Sequence, residues 1–203
     1  MLSVADLHQL PEDIGAEVAF VGRSNAGKSS VLNRLTQNKQ MARVSKTPGR
    51  TQLINLFSVG EEQRLADLPG YGYAKVPLAM REKWQVLLDA YLRERESLQG
   101  LVLVMDIRHP MREFDQHIIG WALQCDLPVH IILNKSDKLS HQEARKTLDT
   151  VSRAFVNEAE KVTVQTFSAL KNLGTDSLRG RVEAWLLEPN KKTVLSESGR
   201  AHF

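Results

Sequence analysis

Eight consecutive residues constrain this chain more than any others: Gly22-Arg23-Ser24-Asn25-Ala26-Gly27-Lys28-Ser29. They match G-x-x-x-x-G-K-[ST], the pattern of a loop whose backbone N–H groups cradle phosphate oxygens. The pattern means this only between a strand and a helix. Glu17 to Gly22 reads EVAFVG, a short apolar run ending in glycine, and Val31, Leu32 and Leu35 then share one helical face. A strand feeding a helix through glycines aims the helix N-terminus at an anion. Lys28 is expected to bridge β- and γ-phosphates, and Ser29 to ligate magnesium.

The rest of the chain alternates in the same way. Gln52 to Val59 and Gln63 to Leu68 read as strands joined by a Gly60-Glu61-Glu62 turn, short enough for an antiparallel hairpin. After Pro77, apolar residues from Met80 to Leu92 recur at helical spacing. Leu101 to Ile107 and Pro128 to Leu133 are buried-type strands around a helix over Glu113 to Gln124. Ser140 and Glu143 form a capping-box pair, opening a helix expected to run to about Glu158. A strand over Lys161 to Phe167 and a helix marked by Leu178, Val182, Trp185 and Leu186 complete the series. Such alternation predicts an α/β fold with a mainly parallel sheet and helices on both faces, its ligands held beyond the carboxyl ends of the strands.

Three short motifs lie where that rule places them. Asp67-Leu68-Pro69-Gly70 closes a strand; there a carboxylate can hold magnesium through water and the Gly70 N–H can sense a γ-phosphate. Asn134-Lys135-Ser136-Asp137 follows PVHIIL and makes the base legible. Guanine offers two donors on one edge, which the Asp137 carboxylate can accept, whereas the acceptor at adenine N1 would be repelled. Lys135 would lay its aliphatic stem on the base, and Asn134 would brace the phosphate loop. Phe167-Ser168-Ala169 closes the last strand, where the Ala169 N–H is placed to meet the guanine O6.

Composition narrows the partners. Between Glu17 and Glu61 no acidic residue occurs, yet Arg23, Lys28, Arg34, Lys39, Arg43, Lys46 and Arg50 do, in a chain with a net charge of only +3. Either these charges surround a triphosphate or some of them contact RNA. The single Cys125 and the absence of zinc-ligand spacing suggest a reducing compartment without a structural metal, which fits the cytoplasm. The first fifteen residues do not read as a signal peptide, and the apolar run Leu101 to Met105, closed by Asp106, is far too short for a membrane span. The six histidines read as structural or surface groups, and Trp84, Trp121 and Trp185 as core. Two irregular stretches, Thr36 to Thr51 and Pro69 to Val76, are expected to be switches.

The ordered set GRSNAGKS, TPGRTQLINLF, DLPGYGYA, NKSD and FSA, with DIRHPMREFD, resembles the EngB type of bacterial GTPase, also called YihA or YsxC. That type lies within the TrmE-Era-EngA-YihA-Septin class, and the resemblance runs from about residue 15 to 187. It implies a six-stranded Ras-like fold with one antiparallel strand; chain length predicts a single domain, over 1–188, and the polar, aperiodic end reads as a flexible tail over 189–203. It implies GTP hydrolysis to GDP and phosphate and a role in assembling the large ribosomal subunit, with ribosomal RNA as the contact; the protein is expected to be a monomer. It also implies a requirement in normal cell division and septation. Gly49, Arg50, Thr51, Gln52 and Leu53 would form the first switch, with Thr51 as the second protein ligand to magnesium. The family commonly has Thr where Asn134 stands; either side chain can bond the phosphate loop.

The glutamine that orients water in Ras-like enzymes is replaced here by Tyr71, so intrinsic turnover is expected to be slow, with potassium or the ribosome as stimulant. In related GTPases an asparagine at the Asn25 position helps to bind potassium; here Asn25 either does so or only hydrogen-bonds the loop. Two other readings remain at this level. A P-loop kinase or ATPase is opposed by NKSD and by the lack of a recognisable acceptor site or lid. An RNA-binding scaffold with a structural nucleotide would bind RNA alike with GTP or GDP.

Overall fold

Strands buried on both faces are apolar without interruption, and their alternate residues separate into two cores. The computed structural model, which describes residues 1–38, 41–42, 53–72 and 77–187, shows this in β2 (Ala16–Gly22) and β5 (Leu98–Asp106). Val18 and Phe20 of β2, with Val102 and Val104 of β5, pack beneath α1 (Lys28–Leu35) and α5 (Thr175–Leu187). Ala19, Val21, Leu101, Leu103 and Met105 face the other way, toward α2 (Leu78–Glu94), α3 (Glu113–Gln124) and α4 (His141–Arg153).

With β1 (Leu2–Val4), β3 (Ile54–Ser58), β4 (Gln63–Asp67), β6 (Val129–Asn134) and β7 (Val162–Thr166), the sheet order is β1-β3-β4-β2-β5-β6-β7. Only β3 runs against the others, pairing antiparallel with both β1 and β4. Among the described residues the sheet therefore has seven strands, where six were expected. The extra one is three residues at the edge, too short to show a period: Val4 is buried, and the Ser3 hydroxyl donates to Asn55 Oδ1 at 2.7 Å.

The Ser140–Glu143 capping box is present, with Ser140 N donating to Glu143 Oε2 at 2.9 Å. Its helix stops at Arg153 rather than near Glu158. Ala154 N and Phe155 N bond to the third carbonyl back, tightening the chain so that Phe155 turns onto the core before a short 3₁₀ turn over Val156–Glu158.

The parallel strands end together on one edge, and this places the site. β2, β4, β5, β6 and β7 there deliver Gly22, Asp67, Asp106, Asn134 and Phe167. The opposite edge is fastened by the fully buried Glu17, which accepts from Arg64 at 3.2 Å, from Arg95 and from the Tyr91 hydroxyl.

Candidate functional site

The phosphate loop is shaped by what touches it. A Cβ on Gly22 would stand 2.6 Å from Val104 O, so the close approach of β5 demands glycine there. Gly27 has φ of +95°, and a Cβ on it would collide with the Asn134 amide. That amide is the brace: Asn134 Nδ2 donates to Ala26 O at 2.8 Å, and Asn134 Oδ1 accepts from Ala169 N at 3.4 Å. One buried side chain thus ties the phosphate loop to the β6 and β7 ends. Asn25 is exposed, in the left-handed region with φ of 66°.

Backbone pairing continues past the end of β2. Tyr71 N donates to Gly22 O at 3.4 Å and Ser24 N to Tyr71 O at 2.7 Å, joining the phosphate loop to the turn at Asp67-Leu68-Pro69-Gly70. Leu68 and Pro69 are buried, Gly70 is partly exposed, and Trp84 Nε1 of α2 donates to Pro69 O at 3.0 Å. Lys28 Nζ, on the first turn of α1, donates to Asp67 Oδ1. Ser29 stands beside it in the chain, and Arg23 is exposed at the outer side of the loop.

Beyond β6, Lys135 takes a left-handed backbone with φ of 65° and sends Nζ to Asn25 O at 2.5 Å. Asp137 accepts from the Ser168 hydroxyl at 2.5 Å, which holds its carboxyl below the usual carboxylate range and keeps it an acceptor. Lys171 N donates back to Ser168 Oγ at 3.1 Å, ordering the loop after β7. Phe167 is wholly in the core and Ala169 is partly exposed, its carbonyl held by Arg34 Nε of α1 at 3.0 Å. A cavity of about 750 Å³ opens between α1 and these two loops, with Gly27, Asn134, Lys135, Asp137 and Ala169 in its wall.

The structure thus brings together 22–29, 67–70, 134–137 and 167–169. Leu53 is described and partly buried just before β3; Gly49, Arg50, Thr51 and Gln52 lie outside the described residues, as do most of the expected switch stretch 36–51 and half of the stretch 69–76. So do Lys39, Arg43 and Lys46 of the basic run. Among the described residues no group of three or more His, Cys, Asp or Glu could hold a metal. A magnesium ion would fit differently, on the hydroxyl of Ser29, phosphate oxygens and a water held by the Asp67 carboxylate, a hard-oxygen set of the kind that ion takes.

Two acidic residues escaped sequence reasoning. Asp106, at the end of β5, accepts from Lys135 Nζ at 2.9 Å, and its signal was the one that marked Asp67: an apolar strand closed by aspartate. Asp115 of α3 accepts from the Tyr71 hydroxyl, a partnership between distant segments that no local pattern announces.

Comparison with known proteins agrees with this arrangement. Residues 17–135 match the sequence model of the 50S ribosome-binding GTPase family, and residues 90–188 that of the elongation factor Tu GTP binding domain. A probable GTP-binding protein EngB from Coxiella burnetii is 54% identical over 185 residues, covering 91% of this chain and 90% of the relative. The chain belongs to the EngB family of GTP-binding proteins. An EngB from Escherichia coli strain HS is 53% identical over 188 residues, covering 93% of this chain and 90% of its own length. The crystal structure of a probable EngB shares the fold, with a TM-score of 0.68 at 23% identity over 84% of this chain and 98% of that one. So does Era in complex with MgGDPNP and nucleotides 1506–1542 of 16S ribosomal RNA, with a TM-score of 0.65 at 24% identity over 86% of this chain and 58% of that one. Like the rest of the EngB family, this protein binds GTP and is a GTPase. Among the described residues, no helix is long and apolar enough to cross a membrane.

Proposed function

We propose that this EngB-family GTPase is a nucleotide-controlled switch in assembly of the large ribosomal subunit, docking on the precursor with GTP and leaving after hydrolysis. The observation that carries this reading is the direct backbone bonding between Ser24 and Tyr71, supported by the Trp84 bond to Pro69. A γ-phosphate drawn to Gly70 would pull on Pro69 and Tyr71 as well, so α2 would feel which nucleotide is bound. A match to a family described as 50S ribosome-binding GTPase, together with the basic run, favours ribosomal RNA as what that surface meets. The same reading makes the protein a cytoplasmic monomer needed for normal cell division and septation.

Hydrolysis falls to the motif residues named above. The N–H groups of 22–29 hold the phosphates, and Lys28 exchanges Asp67 for β- and γ-oxygens. That exchange frees Asp67, which with Ser29 and Thr51 would hold magnesium, Asp67 acting through a water. Magnesium when bound neutralises charge on the β- and γ-oxygens. Asp137 and Lys135 select guanine, with the Ala169 N–H turning from its long bond to Asn134 Oδ1 onto the base, and Gly70 N–H meets the γ-phosphate. Water attacks the γ-phosphorus as the bond to the β-bridging oxygen breaks, giving GDP and phosphate. The Tyr71 hydroxyl is already engaged by Asp115 and does not take the place of the Ras-type glutamine, so unassisted turnover is slow. A potassium ion on the exposed Asn25 would supply the missing charge, with ribosome binding as the other stimulant.

Co-sedimentation with separated ribosomal subunits, at fixed salt, tests the proposal. Large-subunit binding with a non-hydrolysable GTP analogue but not with GDP is expected. Equal binding in both states would point to a scaffold with a structural nucleotide, and none in either would remove the ribosome as partner.

A further inference from the structure

The segment following β5, DIRHPMREFD, is part of what marks this family, yet the nucleotide chemistry above uses none of it. Its first residue, Asp106, pairs across the sheet with Asn134, so its side chain stands beside the strand end that leads into Lys135. Lys135 Nζ lies between two acceptors, Asn25 O of the phosphate loop at 2.5 Å and Asp106 Oδ2 at 2.9 Å. The Lys135 stem passes Gly27, the Cβ position of which would be 3.9 Å from Lys135 Cε. Asp106 is itself held: Arg108 donates from Nε to Oδ1 at 2.9 Å, from its second guanidinium nitrogen to Oδ2 at 2.6 Å, and from its backbone N to Oδ1 at 3.1 Å. Burial alone would raise the Asp106 carboxyl, but the hydrogen bonds from Arg108 and Lys135 keep it well below the usual carboxylate range.

A lysine stem has four rotatable bonds and lies on a base only if its end is fixed. With Asn25 O as the sole partner, the ammonium could follow the phosphate loop or leave for solvent. The Asp106 carboxylate adds a second, charged anchor rooted in the sheet. From this arrangement we infer that Asp106, locked by Arg108, is a positioning residue for nucleotide affinity, holding Lys135 across Gly27 and beneath the guanine. It acts on GDP and GTP alike, because the anchor touches the base side of the pocket and not the γ-phosphate side. The inference rests on the reading of Lys135 as the residue beneath the base.

The experiment measures affinity for fluorescent GDP and for a non-hydrolysable GTP analogue, and kcat at saturating GTP, in five proteins. They are wild type, Asp106→Asn, Arg108→Ala, Lys135→Met, and the double variant Asp106→Asn with Lys135→Met. Asp106→Asn is expected to raise both dissociation constants about tenfold, the order set by one charge-assisted hydrogen bond. Its kcat at saturation should stay within about twofold of wild type, a split that general misfolding does not produce. The double variant should bind no worse than Lys135→Met alone, since a residue acting through Lys135 has nothing left to hold. Wild-type affinity in Asp106→Asn, or losses that multiply in the double variant, would overturn the inference. Full affinity in Lys135→Met would overturn the base assignment as well, so the two failures are distinguishable. If Asp106→Asn does not fold, Arg108→Ala and a sixth protein, Arg108→Ala with Lys135→Met, decide instead, because the Arg108 side chain is 43% exposed: a smaller loss that vanishes in the Lys135→Met background supports the anchor, and unchanged affinity contradicts it.

Discussion

The Tyr71 hydroxyl donates to Oδ1 of Asp115, binding the residue after the Asp67–Gly70 turn to the first turn of α3. Tyr71 is 5% exposed, with its ring 5.5 Å from that of Trp84 and 5.0 Å from that of Phe114. Burial pushes both groups up, the Tyr71 phenol well above its ordinary value and the Asp115 carboxyl above its own. The phenol therefore stays protonated and remains a donor. A position that orients water in Ras-like enzymes is here part of the core.

Removing that hydroxyl is accordingly a stability experiment. Tyr71→Phe leaves a buried carboxylate short of a donor and should cost about 1–3 kcal/mol in urea denaturation. Single-turnover hydrolysis at saturating GTP should change less than about tenfold, because no proton or water is handled by that oxygen. A loss of a hundredfold or more with the fold intact would mean that Tyr71 reaches the reaction.

Lys28 and Asp67 form a mostly buried pair, their side chains 12% and 10% exposed. Lys28→Ala should abolish nucleotide binding or turnover, and also leave Asp67 unpaired, at a cost of about 3–5 kcal/mol. Calorimetric titration with GTP below the variant's melting range, alongside circular dichroism, separates the two effects. Unchanged affinity and rate would refute the role given to Lys28.

Asn25 carries the potassium proposal, and its test is simple. Wild-type turnover should be faster in potassium than in sodium at equal ionic strength, and Asn25→Ala should lose the difference. Equal wild-type rates in the two salts would end the idea.

His130, 4% exposed, predicts an acid limit to stability away from the nucleotide. It sits between Thr163 Oγ1 at 2.7 Å and Gln165 Oε1 at 2.9 Å. Gln165 sends its amide nitrogen to Gly174 O at 2.8 Å, so its oxygen faces the ring and His130 Nε2 carries the proton. Burial lowers the His130 pKa from 6.5 to about 4. Between those values the unfolded chain binds the extra proton and the folded one does not, so stability is full above pH 6.5 and falls as pH drops toward 4. By pH 5 this single group should cost about 2 kcal/mol, a loss that His130→Gln should lack. Parallel pH curves for the two proteins in urea would contradict it.

How much of this was legible depended on whether the signal was local. Phosphate-loop glycines, the capping box at Ser140 and the bounds of α3 can each be read from neighbouring residues, and the structure has them. The two-sided burial of β2 and β5 follows from unbroken apolar runs. The edge strand Leu2–Val4 is stabilised by pairing with Ile54–Leu56, fifty or more residues away, so no window of sequence reveals it. Asp106, Asp115 and Arg34 likewise gain their roles from strand register and helix placement: each bonds a residue that the topology brings alongside. The Asn134–Ala26 bond is the expected brace of the phosphate loop, whereas the Lys28–Asp67 bond joins two residues that the motifs assign to phosphate and to magnesium.

The central claim is that a guanine site controls attachment to the large ribosomal subunit, and changing the base that the site accepts tests it most directly. In Asp137→Asn an amide can donate to the extra carbonyl of xanthine but no longer accepts both guanine donors. Guanine-nucleotide affinity should fall about a hundredfold or more, since two charge-assisted hydrogen bonds are lost. Co-sedimentation of this variant with large subunits should then require a non-hydrolysable xanthosine triphosphate analogue and fail with the guanosine one. Attachment that still follows guanosine triphosphate, or that ignores nucleotide altogether, would contradict the account.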